Sequence, residues 1–145
     1  MSVRRRLAAW SARHARGLER VWARATRVGT ALEPLVARVG RARLERPVAA
    51  IERTVKGAMF DCRMCGRCIL SATGMSCAMT CPKRLRNGPC GGVRADGGCE
   101  VEPALRCVWV AAWEGSRAMA GGDAIGDVQP PVDHRLQGSS AWLAR

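Results

Sequence analysis

Between residues 3 and 28 the apolar positions recur with a helical beat. Leu7, Trp10, His14, Leu18, Val21, Ala25 and Val28 stand 3, 4, 4, 3, 4 and 3 residues apart, the spacing of one helix face. Arg13, Arg16, Arg20, Arg24 and Arg27 make a second stripe beside it. The pattern predicts one amphipathic helix over 3–28, stopped by Gly29. Thr30-Ala31-Leu32-Glu33 has the form of a capping box. Pro34 fits only in a first turn, so a second helix starts at Thr30 or just before Pro34. Leu35, Val39 and Leu44 continue the apolar face, with Gly40 as its weak point. Pro47 opens a third piece carrying Val48, Ile51 and Val55, and Gly57 ends it.

Beyond Gly57 the periodicity is lost and cysteines replace it. All eight lie within 46 residues: Cys62, Cys65, Cys68, Cys77, Cys81, Cys90, Cys99 and Cys107. Large apolar residues are few in that stretch. A unit so small rarely holds itself together by burial alone, so the cysteines are expected to staple it. Val108–Trp113 predicts a short helix or strand, with Trp109 and Trp113 on one face if helical. Gly121-Gly122 is a flexible break. The Pro-led stretch after Val128 predicts extended chain, and its Trp142-Leu143 is expected to pack back on the domain. The fold class expected is small α plus irregular. A basic helical arm (1–57) precedes a metal-stapled, loop-rich cysteine domain (58–115) and a Pro/Gly-containing tail (116–145).

The formal charge of +12 is uneven. Residues 1–57 hold 14 Arg/Lys against 4 Glu, and residues 58–145 hold 10 against 8 acids. The positive field belongs to the arm and suits an acidic protein surface, an anionic membrane surface or nucleic acid. Interleaved Phe and Tyr of the kind that stack on single strands are missing, so a protein partner ranks above nucleic acid. Trp10 and Trp22 are candidate anchors for such a partner. No apolar run reaches transmembrane length or forms a secretory signal. A cytoplasmic location is the default expectation, ahead of an organelle transit peptide, and in the cytoplasm thiols stay reduced.

Cys62, Cys65 and Cys68 form C-x2-C-x2-C, which lets the backbone curl around a compact centre. Iron–sulfur proteins of the ferredoxin type use such a run and close it with Cys-Pro. Here Cys81-Pro82 is that ending, displaced by an insertion containing Cys77. Eight thiolates make two sets of four: two [4Fe–4S] clusters, or one cluster and a zinc site. Zinc alone ranks lower, because paired C-x2-C knuckles are its habit and the run here overlaps itself. Disulfides rank lowest. Gly66, Gly91 and Gly98 flank cysteines and are expected to bring backbone N–H groups to sulfur. Lys83, Arg84 and Arg86 either offset cluster charge or form a solvated basic turn. With two histidines in the chain, general acid–base catalysis has little to draw on. His14 is expected to be a packed helix residue, and His134 beside Asp133 a surface pair.

Lys56-Gly57-x-x-Phe60-x-Cys62-x-x-Cys65-Gly66-x-Cys68-x-Leu70, Cys81-Pro82-Lys83-x-Leu85-x-Asn87-Gly88-Pro89-Cys90-Gly91-Gly92, Gly98-Cys99-Glu100-Val101 and Cys107-Val108-Trp109 together resemble the methylenetetrahydrofolate reductase C-terminal-like domain. The resemblance covers about residues 55–115, and its Asn-Gly-Pro-Cys-Gly-Gly core is specific. It implies one-carbon folate metabolism and a flavin-carrying barrel subunit, or a related one-carbon enzyme, as partner. It also implies an accessory role with iron–sulfur clusters that pass electrons, or with zinc. The barrel itself lies outside this sequence, so reductase activity does not transfer to the chain. The arm and the Pro-Pro-Val-Asp-His tail stand outside the core motif.

Overall fold

In the computed structural model, which describes residues 3–144, the chain is mostly helical. Among the described residues there are five α-helices and no strand. These are α1 (Val3–Arg13), α2 (Ala15–Ala31), α3 (Glu33–Val39), α4 (Arg41–Phe60) and α5 (Val108–Ser116). Between α4 and α5 run loops and two short 3₁₀ turns, Leu70–Ala72 and Ala78–Thr80. Extended pairing is limited to isolated bridges, Val93 with Cys99 and Gly98 with Arg106.

The arm differs in detail from its sequence pattern. One expected helix is two, broken at His14 (φ −107°, ψ 24°). His14 is exposed, not packed. Its ring stacks on Trp10 at 4.2 Å, and its Nδ1 lies 2.9 Å from the Trp10 carbonyl. The break lets α1 pack along α4 and α5. It buries Ser11, Ala12 and Ala15 while Leu7 and Trp10 stay exposed. Small side chains win this face because they allow close helix approach, and Ser11 Oγ donates to the Met59 carbonyl at 2.8 Å.

Gly29 does not stop the helix but sits inside α2. The capping box at Thr30 does not form, for the Thr30 hydroxyl donates back to the Thr26 carbonyl, a bond that a helix interior offers. Helix α3 begins at Glu33 with Pro34 in its first turn, and Gly40 (φ 95°) separates it from α4. Pro47 lies inside α4 and does not open it, and Gly57 is buried within that helix. Helix α4 runs on to Phe60 and is closed by Asp61 in the left-handed region.

The core is modest. Ala15, Phe60, Leu70, Met75 and Met119 form one buried cluster with Leu18 and Trp22 against it. Trp22 meets Phe60 edge-on at 6.5 Å. A second cluster holds Ala78, Trp109 and Ala112. Stretch 108–113 is helical, yet only Trp109 of its two indoles is buried, and Trp113 is exposed. Gly115 of α5 lies directly against the Gly74 backbone, where a Cβ on either would collide. This contact seats the loop on α5.

The tail does pack back. Trp142 N–H reaches Glu52 Oε2 at 3.3 Å, and Ser140 is buried on α4. The stretch before it is extended as expected, then makes a 3₁₀ turn at His134–Leu136. There Asp133 pairs with Arg135, not with His134.

Candidate metal centre

The loop after α4 curls tightly because Asp61, Met64 and Gly66 all take positive φ (49°, 50° and 73°). Successive turns of this kind wrap backbone amides around a concavity. Cys62, Cys65, Cys68 and, from between the two 3₁₀ turns, Cys77 line one small cavity. The first three were expected to share a centre. The spacing leaves their companion open; at this cavity the fourth cysteine is Cys77, and Cys81 does not line it.

Amide donors serve these sulfurs. Met64 N–H lies 3.4 Å from Cys62 Sγ. The backbone of Leu70 favours the Cys68 thiolate, and the backbones of Arg63 and Met79 favour that of Cys77. The donors are therefore not the glycines that the sequence singles out. Gly66 serves the tail instead. A Cβ there would stand 2.6 Å from Leu136 Cβ and Ser139 Oγ, so its bareness lets the tail approach. That part of the tail is held by Gly138 N–H on the Met64 carbonyl (2.8 Å) and Gln137 Nε2 on the Arg63 carbonyl (2.7 Å).

Cations stand at the cavity wall. Lys56 is 1 % exposed and pairs with Glu52, also 1 % exposed, at 2.5 Å. Its ammonium lies 4.8 Å from the Trp22 ring and 5.2 Å from the Trp142 ring, within cation–π range. Glu52 also accepts from Ser140 Oγ at 2.6 Å. Arg86 is buried, with Nη1 3.6 Å from Cys65 Sγ and Nη2 3.1 Å from the Arg67 carbonyl, while its Nε has no partner. Of the expected basic triplet only Arg86 turns inward. Lys83 pairs with Glu100 at the surface, and Arg84 is exposed.

The titration behaviour follows. Burial works against the Lys56 ammonium, but Cys68, Glu52 and Cys62 outweigh it and hold its pKa above the ordinary value. A hydrogen bond with Cys77, added to burial, pushes the Cys62 thiol up, and the same bond holds the Cys77 thiol down. Burial pushes Cys68 up in spite of Lys56.

The buried charged side chains among the described residues are Lys56, Arg86 and Glu52, two cations against one anion. An unbalanced buried cation is costly, and thiolates are the groups at hand to balance it. In donor type, charge and amide supply the four thiols fit a thiolate-ligated metal group. Among the described residues no three His, Cys, Asp or Glu side chains converge as they would on one metal ion.

The remaining thiols stand outside this cavity. Cys81 follows the second 3₁₀ turn. Cys90 is exposed, with its Sγ 3.3 Å from Glu100 Oε1. Cys99 and Cys107 lie in the bridged segment, their N–H groups donating to the Leu105 and Gly97 carbonyls. Cys107 also precedes α5. Asn87, in the Asn-Gly-Pro-Cys-Gly-Gly motif, clamps the tail through both amide atoms: Nδ2 to the Gln129 carbonyl (2.9 Å) and Oδ1 from its N–H (2.7 Å). Sequence reasoning assigned no role to Glu52, Lys56 or Asn87. The i,i+4 spacing of Glu52 and Lys56 was the available signal, but it reads equally as a surface pair.

No curated protein and no solved structure matches the chain. A family model described as "Methylene-tetrahydrofolate reductase C terminal" matches residues 42–135. The match takes in α4, all eight cysteines, α5 and the tail as far as Arg135, so it reaches well beyond the 55–115 core on both sides. The chain belongs to the methylenetetrahydrofolate reductase C-terminal family.

Proposed function

We propose that the chain is an accessory, electron-transferring subunit of a methylenetetrahydrofolate reductase-type one-carbon enzyme, with the eight cysteines as metal ligands. Cys62, Cys65, Cys68 and Cys77 hold the first centre, and Cys81, Cys90, Cys99 and Cys107 supply the second. The observation that carries the reading is the four-thiol cavity walled by buried Lys56 and Arg86. A cavity with a net buried positive charge asks for anionic contents. A four-iron cluster would supply one-electron transfer. The chain's own part is to ligate it, to tune it through the amides of Met64, Leu70, Arg63 and Met79, and to balance its charge. A flavin-bearing barrel subunit is the partner that the family description points to. A cytoplasmic location accords with reduced thiols, and no helix among the described residues is long and apolar enough to cross a membrane.

Iron, zinc and acid-labile sulfide per chain, measured on anaerobically purified protein together with its visible spectrum, test the reading. About eight iron and eight sulfide are expected for two four-iron clusters. One or two zinc ions with no sulfide would overturn it in favour of a structural zinc module.

A further inference from the structure

A second, largely apolar concavity adjoins the thiol cavity and opens to solvent. A groove of about 590 Å³ runs between α2, α3 and α4. Leu18, Val21, Val28, Leu32 and Val55 line it, and Trp142 borders it. Val21 and Val28 are 60 % and 58 % exposed. Contiguous exposed apolar surface of this kind marks an interaction site. Along α2 the lining extends from Leu18 to Gly29, three turns or about 16 Å at the usual rise. That length matches a helix laid lengthwise with three or four large side chains inserted.

The charge beside the groove selects the occupant. Arg24 lies three residues after Val21 and four before Val28, so it shares their edge of α2, and Arg20 continues that edge. Both are exposed, and neither takes part in an ion pair among the described residues. Glu33, the carboxylate in the lining, is taken by Arg41. A second copy would bring like-charged edges together on chains that each carry +12. A bilayer is flat, and would leave a concave wall unfilled.

We propose that the α2–α3–α4 groove docks an amphipathic helix of a partner protein, with apolar residues at i, i+3/i+4 and i+7 and carboxylates along the edge that faces Arg20 and Arg24. The proposal shares with the accessory-subunit reading only the supposition of a protein partner. It needs neither the metal nor the reductase, so each can fail while the other stands.

The test is fluorescence anisotropy of a labelled 18-residue helical peptide with a leucine stripe and glutamates along its edge, titrated with the full chain at low salt. Saturable one-to-one binding is expected, weakened at least tenfold when lysines replace the glutamates. Val28→Glu, at an exposed position, is expected to weaken binding at least tenfold with circular dichroism unchanged. The double variant R20E/R24E is expected to reverse the preference toward the lysine peptide. The proposal is overturned if the two peptides bind the parent alike, or if neither binds. It is equally overturned if sedimentation shows a dimer that Val28→Glu disperses, or if phosphatidylglycerol vesicles bind where the glutamate peptide does not.

Discussion

The two sets of four cysteines have equal standing as thiols and very different surroundings. Cys62, Cys65, Cys68 and Cys77 face one cavity, backed by helix α4, walled by buried Lys56 and Arg86 and strapped by the tail. Cys81, Cys90, Cys99 and Cys107 sit on loops and bridges, the exposed Cys90 beside the surface pair of Lys83 and Glu100. The contrast teaches that the dry charge behind a group of thiols distinguishes it as much as its spacing does. Buried cations cost free energy unless something anionic answers them, and only the first set has that demand built in.

The sharpest way to break the comparison is to remove one thiol from each set. Cys77→Ser is expected to remove the first centre whole, about half the iron of a two-cluster protein, while Cys99→Ser spares it. Iron analysis of the two variants checks this, and equal losses would erase the distinction between the sets.

Next in size is the charge beneath the first set. Lys56→Met strands Glu52 in the interior, and breaking a buried pair costs about 3–5 kcal/mol. Changing both, Lys56→Met with Glu52→Gln, is expected to recover most of that loss in urea unfolding. The double variant still lacks the cation, so its first centre is expected to be lost faster to a chelator than that of the parent.

Gly115→Ala touches neither set of thiols directly. It drives a methyl into the Gly74 backbone, and overpacking of this sort costs roughly 1–3 kcal/mol. Thermal unfolding reads the loss. A cost spread onto the loop carrying Cys77 would show as faster alkylation of that thiol.

The smallest effect is expected at the tail. Arg135, through its side chain and its N–H, holds the Asp133 carboxyl down to about 2 from an ordinary 3.8. A depressed folded pKa stabilises fully above the ordinary value and is lost as pH falls through about 2. Because the pair is open to solvent at Arg135, the effect is slight. The Tm difference between parent and Asp133→Asn should be constant above pH 4 and shrink toward pH 2.

The arm shows what the sequence could and could not disclose. Its helical period was legible, as were the first turn at Pro34 and the weak point at Gly40. The helix break at His14 was not, because the residues that bury there are Ser11, Ala12 and Ala15, and small side chains leave no trace in a hydrophobic stripe. The large residues that did make the stripe, Leu7, Trp10, Val21 and Val28, lie mostly outside the core. Pro47 read as an opening and proved to be interior, since α4 packs well enough along its length to carry the missing N–H. At the site, three of the four cavity thiols were legible from C-x2-C-x2-C. Cys77 was not, because closing the set depends on the two 3₁₀ turns and on the Gly74 contact with α5. Lys56 carries a charge that reads as a surface residue until burial is known, and for Arg86 the sequence leaves a charge-offsetting role and a solvated turn equally open.

The indole pair around Lys56 has an optical consequence. Trp22 and Trp142 lie about 5 Å from an ammonium that itself lines the thiol cavity. Any coloured group assembled there would quench their emission by energy transfer. Trp113, exposed on α5, would keep more of its own. Indole emission would therefore report, in dilute solution and without a label, whether such a group fills the cavity.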